Sequence, residues 1–241
     1  MSKEIAILMA AGLGTRMRPL TDKIPKPLVE VKGRRMIETV IDGLEKRGVQ
    51  HIYVVVGYKG EQFSYLEEKF NNLTIVKNDE YLEKNNISSV HAACDVMGES
   101  DCFICEADLY IPDGSVFDKQ LDRSGYFGLM IKGHSDDWVF DEDEGGRITR
   151  VGKGGNDQYN MVGVSFFKAK DAKIIADEIL KAYDTEGHEN LFWDEVVDRN
   201  LDKLDLIVYP IEEGQIIEID SVEELKKVDP EKYGKDHNNE C

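Results

Sequence analysis

IAILMAAGLGTRMRPLTDKIPKPL, residues 5–28, is the stretch on which the fold turns. Its first five residues, Ile5 to Met9, form a short, wholly apolar run, the pattern of a strand covered on both faces of a parallel sheet. Ala10, Ala11, Gly12 and Gly14 follow with little or no side chain, so backbone N–H groups can curl closely around an anion. Between Arg16 and Arg35 seven basic residues face two acids, Asp22 and Glu30, in a chain whose formal net charge is -18. A glycine loop with local positive charge inside an acidic protein suits a small polyanion such as a nucleoside triphosphate and makes polymeric nucleic acid a poor partner. Two common phosphate motifs are excluded: the dinucleotide fingerprint fails at Met17, and the Walker pattern is absent.

Outward from this stretch, Met36, Ile37, Val40, Ile41 and Leu44 recur at helical spacing. His51 to Gly57 reads as a second buried strand, Glu61 to Phe70 as a helix and Leu73 to Val76 as a third strand. That alternation predicts an α/β fold with a doubly wound, mostly parallel sheet, whose ligands gather beyond the carboxyl ends of the strands. With 241 residues, 41% hydrophobic and 32% charged, the chain suits one soluble domain spanning residues 1–241. No stretch approaches the length of a membrane span, and the first apolar run is too short for a secretory signal, so the cytoplasm is the expected compartment and no membrane partner is implied. Cys102 and Cys105 lie three apart on a predicted strand and so point to opposite faces, which reads as buried thiols and not as a metal pair. Cys94 and Cys241 complete the four cysteines, and no framework spacing joins them.

Asn78 to Val90 is polar and is expected to end with Ser88 capping a helix. The amides here, Asn86 among them, suit either the edge of a base or simple turn chemistry. The apolar strand ending at Asp108 delivers a carboxylate to the ligand face of the sheet, where a hard divalent cation would need oxygen. From Gly133 to Gly155 two strand-like runs flank an acidic, glycine-rich turn. They read as an inserted hairpin over the active site that carries contacts to the acceptor. Asp171 to Tyr183 reads as a packing helix, Ser221 as the cap of the last helix, and the tail beyond Val228 as frayed.

The pattern G-x-G-x-R-x-x-P-L-T-x-x-x-P-K-P, from Gly12 to Pro27, resembles the signature of nucleotidyltransferases that join a nucleoside triphosphate to a sugar phosphate or alcohol phosphate. The resemblance implies their Rossmann-like fold. It also implies that Ala10, Ala11, Gly12, Gly14 and Thr15 hold the triphosphate with Arg16 and Lys26, the last two being catalytic. Asn86 and Ser88 would border the base, as in the Asn-Asn loop of the cytidylyltransferase branch. Asp108, together with Asp220 in an I-D-[ST] pattern, would hold one Mg²⁺ on the nucleotide. The Leu-aromatic-Trp-Asp segment at Leu191 to Asp194, with Trp138 and Glu218, looks like bacterial CTP:phosphocholine cytidylyltransferase over nearly the whole length. Tyr110, Trp138, Phe192, Trp193, Asp194 and Glu218 would then form the acceptor pocket, since a quaternary ammonium asks for aromatic faces and negative charge. Phe192 stands where tyrosine is expected, and core packing accounts for it equally well. Leu109 stands where a polar residue is expected. The implied substrates are CTP and a phosphorylated amino-alcohol, with phosphocholine first and 2-aminoethylphosphonate or phosphoethanolamine second. A sugar 1-phosphate comes third, and a catalytically silent nucleotide-binding domain is disfavoured by the presence of Lys26, Asp108 and Asp220.

Overall fold

The computed structural model of the chain describes residues 3–234. In chain order, β1 (Glu4–Ala10) leads through the glycine loop to a small ribbon, β2 (Glu30–Val31) and β3 (Arg34–Arg35), and then to α1 (Met36–Arg47). β4 (His51–Val56), α2 (Tyr65–Lys69), β5 (Leu73–Lys77), α3 (Ile87–His91) and β6 (Asp101–Glu106) follow. Next come β7 (Leu109–Tyr110), the long strands β8 (Ser124–Glu142) and β9 (Ile148–Phe167), and α4 (Ala169–Tyr183). The chain closes with α5 (Trp193–Asp198), β10 (Leu206–Ile211), β11 (Ile217–Glu218), α6 (Val222–Val228) and α7 (Pro230–Tyr233).

Seven strands form the main sheet in the order β10-β8-β9-β6-β1-β4-β5. β6, β1, β4 and β5 run parallel, β8 and β10 are parallel to each other, and β9 is antiparallel to both of its neighbours. Ile37, Val40, Ile41 and Leu44 of α1 are buried on one face against Ala6, Leu8 and Phe103. Ile175 and Ile179 of α4 and Val196 and Val197 of α5 cover Ile7, Ile104 and Phe167 on the other. Full burial of such side chains contributes roughly 1.5–3 kcal/mol each, more than the propensity differences of short helices. The doubly covered sheet follows from strand residues that are apolar at every position.

Cys102 and Cys105 are buried on opposite faces of β6, in separate cores, and Cys94 is also buried. Cys241 lies outside the described residues. Two sequence readings, the Ser88 cap and the frayed tail, are corrected. The 133–155 hairpin is present as the outer part of the antiparallel pair β8–β9, whose strands continue into the main sheet. They bend so that Val139 pairs with both Gly152 and Asn160, and Phe140 with both Val151 and Tyr159. The distal turn is thereby folded back, with the Arg147 guanidinium donating to the Leu201 and Leu204 carbonyls. The tail beyond Val228 is ordered as far as α7, where Asp229 caps the helix, the Tyr233 hydroxyl donates to the Glu30 carbonyl and Lys232 pairs with Glu30. Ser88 does not cap α3 but lies within it, as described below.

Candidate active site

The glycine loop leaves the carboxyl end of β1 at the floor of a cleft of about 560 Å³, room enough for a nucleotide and a small second molecule. Gly14 has φ +61, and a Cβ there would stand 2.8 Å from the Lys26 Cβ, so only glycine permits the loop to close over the lysine. The Thr21 hydroxyl fixes the turn by donating to the Gly14 carbonyl at 2.8 Å. Lys26 is thereby nearly buried, with its Nζ aimed into the cleft.

A two-stranded ribbon brings the two distant aspartates to this lysine. β7 and β11 pair antiparallel, Leu109 opposite Glu218 and Tyr110 opposite Ile217. This register sets Asp108, just before β7, beside Asp220, just after β11. Asp220 is held where the chain enters α6, its N–H donating to Glu224 at 2.7 Å, while Ser221 caps the helix as the sequence predicts. Lys26 Nζ lies 2.7 Å from Asp108 and 2.6 Å from Asp220, and the mostly exposed Arg16 reaches the second oxygen of Asp220 at 2.8 Å. Burial alone would lower the lysine pKa. The two carboxylates outweigh it and hold the ammonium above the ordinary lysine value. Two carboxylates converging on one cation supply the hard oxygens that a divalent ion takes. Among the described residues no set of three His, Cys, Asp or Glu side chains is arranged to chelate a metal unaided.

Ala10, Ala11, Gly12, Gly14, Arg16, Lys26, Asn86, Asp108, Trp138, Glu218 and Asp220 all line the cleft, and Thr15 lines a side recess with Arg16 and Asp108. Asn86 is fixed by accepting from the Trp193 N–H at 3.0 Å. Five expected residues lie elsewhere. Ser88 is buried, donating to the Asn85 carbonyl and accepting from the Asn78 amide, and its neighbour Ser89 faces the cleft instead. Tyr110 is packed with Met17, Ile219 and Leu225 behind the ribbon, and Leu109 is core as well, which explains its apolar character. Trp193 is buried, stacked on Tyr126. Phe192 stands edge-to-face with Trp138, ring centroids 5.4 Å apart, on the outer side of that ring. The Lys153 ammonium covers the pair, 5.1 Å from the Phe192 centroid and 5.7 Å from that of Trp138.

Asp194, the fifth, is buried in a small recess of about 10 Å³ behind the main cleft. Glu106, which the sequence reading passed over, lines both spaces. Its signal was present: it is the one acid inside an otherwise apolar run and lies two residues before Asp108, on the same side of the strand. Burial, then the neighbouring Asp108, Glu218 and Asp194, push its carboxyl well above the usual range. Burial likewise raises Asp194 to about 7, and burial with Asp220 and Asp108 raises Glu218 to about 7. Tyr126 lies near enough to favour the charged form of Asp194, yet in a geometry that leaves Tyr126 Oη and Asp194 Oδ1 without a hydrogen-bond partner among the described residues.

Comparison with known proteins gives the family of the chain. Residues 6–153 match the MobA-like NTP transferase domain. The chain is 56% identical over 227 residues to 2-aminoethylphosphonate cytidylyltransferase of Lancefieldella rimae, covering 94% of this chain and 92% of that one. It is 35% identical to choline-phosphate cytidylyltransferase of Streptococcus pneumoniae, over 93% and 96% of the two chains. The solved CTP:phosphocholine cytidylyltransferase of S. pneumoniae superposes with a TM-score of 0.85 at 33% identity, over 95% of this chain and 98% of that one. The chain, related to these proteins along nearly its whole length, belongs to the cytidylyltransferase branch of the MobA-like NTP transferase family.

Proposed function

We propose that the protein transfers CMP from CTP to 2-aminoethylphosphonate and releases pyrophosphate. The observation that carries this choice of acceptor is the 56% identity to an enzyme of that name, against 35% for the phosphocholine enzyme. It reverses the order read from the sequence, which put phosphocholine first. The geometry around Trp138 supports the reversal, since the aromatic pair that would receive a quaternary ammonium already carries the ammonium of Lys153.

A phosphonate oxygen of the acceptor attacks the α-phosphorus of CTP in line, and the bond from that phosphorus to the bridging oxygen of the β-phosphate breaks. No protein nucleophile is needed, so positioning and charge neutralisation carry the acceleration. The loop from Ala10 to Gly14 offers backbone N–H groups to the phosphates. Arg16 and Lys26 exchange their carboxylate partners for phosphate oxygens. Asp108 and Asp220 would hold Mg²⁺, which when bound would supply Lewis-acid charge neutralisation at the triphosphate. Asn86 and Ser89, which line the cleft, would meet the base.

The test is pyrophosphate release with CTP and Mg²⁺ against a panel of 2-aminoethylphosphonate, phosphocholine, phosphoethanolamine and glucose 1-phosphate, repeated with excess chelator. At least tenfold higher kcat/KM for 2-aminoethylphosphonate than for any other acceptor is expected, with activity lost on chelation. A preference for phosphocholine would restore the sequence-based order.

A further inference from the structure

We propose that the recess behind Glu106, closed by Asp194 and Tyr126, seats the ammonium group of the acceptor and admits a primary amine while refusing a trimethylated one. This rests on the acceptor reading above and adds the residues that recognise the amine.

The recess adjoins the main cleft, with Met9, Glu106, Met161 and Gly163 bordering both. Gly163 makes that border possible: at φ +71, a Cβ on it would stand 2.9 Å from Glu106 Oε2, so the glycine leaves the carboxylate its place. Beyond Glu106 the polar side chains in the walls are Asp194, Tyr126, Trp193 and Ser165, and the Ser165 hydroxyl already donates to the Ile104 carbonyl. Asp194 is 4% exposed and Tyr126 1% exposed, and Asp194 Oδ1 and Tyr126 Oη lack hydrogen-bond partners among the described residues. Neither Glu106 nor Asp194 forms a salt bridge within the described residues, where the cations near the cleft pair with Asp108 and Asp220. A buried carboxylate with no cation beside it is costly, and the cost is relieved by a ligand that brings one.

The chemistry selects the ligand. A primary ammonium presents three N–H donors, and the recess presents three acceptor groups: the Glu106 and Asp194 carboxyls and the Tyr126 oxygen. A volume of about 10 Å³ takes one water-sized group, which an –NH₃⁺ matches. A trimethylammonium is several times larger and offers no donor to Glu106, Asp194 Oδ1 or Tyr126 Oη. The aromatic pair outside, Trp138 and Phe192, is therefore not the seat of the amine in this chain.

The test uses 2-aminoethylphosphonate and its N-methyl, N,N-dimethyl and N,N,N-trimethyl derivatives as acceptors, with ethylphosphonate as an amine-free competitor. In the wild type, kcat/KM is expected to fall at each methylation and by at least a hundredfold in total. Asp194→Asn, nearly isosteric, should raise KM for 2-aminoethylphosphonate tenfold or more while the Ki of ethylphosphonate stays within twofold. Tyr126→Phe keeps the ring against Trp193 and should raise KM three- to tenfold under the same control. Equal weakening of both compounds in these variants, the outcome for a recess that only houses structural water, overturns the proposal. So does full activity of the wild type on the trimethyl derivative. A wild type that prefers phosphocholine to every compound in the series defeats the acceptor reading itself, whereas one that prefers 2-aminoethylphosphonate yet tolerates trimethylation defeats only the recess.

Discussion

The phosphate end of the cleft and its acceptor end use the same residue types in opposite balance. At the phosphate end Lys26 and Arg16 meet Asp108 and Asp220 one for one. At the acceptor end Glu106, Asp137, Asp194 and Glu218 face the cleft or its recess with no salt bridge among the described residues. The first arrangement can exchange partners when a polyanion and its counter-ion arrive together. The second relieves its lack of positive charge by holding carboxyls partly protonated, and an arriving cation favours their ionised form. A substrate with an anionic head and a cationic tail fits this asymmetry in one orientation only, head toward Lys26.

The sharpest way to break the comparison is to remove the compensating charge. Lys26→Ala and Asp108→Ala are each expected to lower kcat roughly a hundredfold or more, the scale of losing one transition-state charge contact. Initial rates of pyrophosphate release measure it, with circular dichroism as the control for folding. Near-normal turnover in either variant removes that residue from the reaction.

The uncompensated end makes a thermodynamic prediction. Asp194 titrates near 7 when folded and near the ordinary aspartate value when unfolded. Between about pH 4 and 7 the folded protein therefore keeps a proton that the unfolded chain has released. Stability is full below that window and is lost as the pH rises through it. A shift of this size corresponds to a few kcal/mol, and allowing for relaxation around the recess leaves on the order of 2 kcal/mol. The stability of the wild type minus that of Asp194→Asn, from urea midpoints, should decline by that amount from pH 4 to pH 7. A flat difference would show the carboxyl to be better solvated than its burial implies.

These two ends were also unequally legible in the sequence. The phosphate end is contiguous: Gly12 to Lys26 sit in one motif, and the approach of Asp108 and Asp220 was implied by resemblance before the β7–β11 ribbon showed how it is achieved. The acceptor end is assembled from β6, β8, β9 and α5, and residue type does not say which way a side chain faces. Tyr110 and Trp193 are aromatics beside acids that turn into the core, and Phe192 lies on the far side of Trp138. Ser88 had the right chemistry for a cap, but the turn made by Asn85 and Asn86 starts the helix earlier. The sheet read as mostly parallel is so. The hairpin was legible as a hairpin, but not the length of its strands, which run to 19 and 20 residues and continue into the main sheet.

A smaller effect tests the border between cleft and recess. Gly163→Ala places a methyl group at positive φ and against Glu106. Strain of this kind costs about 1–2 kcal/mol, to be read as a lowered urea midpoint. If Glu106 carries the amine, KM for 2-aminoethylphosphonate should rise with it. Loss of stability with KM unchanged would leave the glycine a purely structural role.

The least expected change is at Lys153, and it bears directly on which end of the amine pocket is in use. Lys153, over Trp138 and Phe192, is exposed, so its attraction to the rings is worth about 0.5–1 kcal/mol. Lys153→Ala should therefore improve kcat/KM for phosphocholine by about two- to fivefold, because the rings become available to another cation, while 2-aminoethylphosphonate is unaffected. If the variant instead loses 2-aminoethylphosphonate activity, Lys153 is helping to hold the acceptor and the aromatic pair belongs to the amine site after all. If neither acceptor responds, the pair is packing, and the discrimination between amines lies wholly in the carboxyl-lined recess.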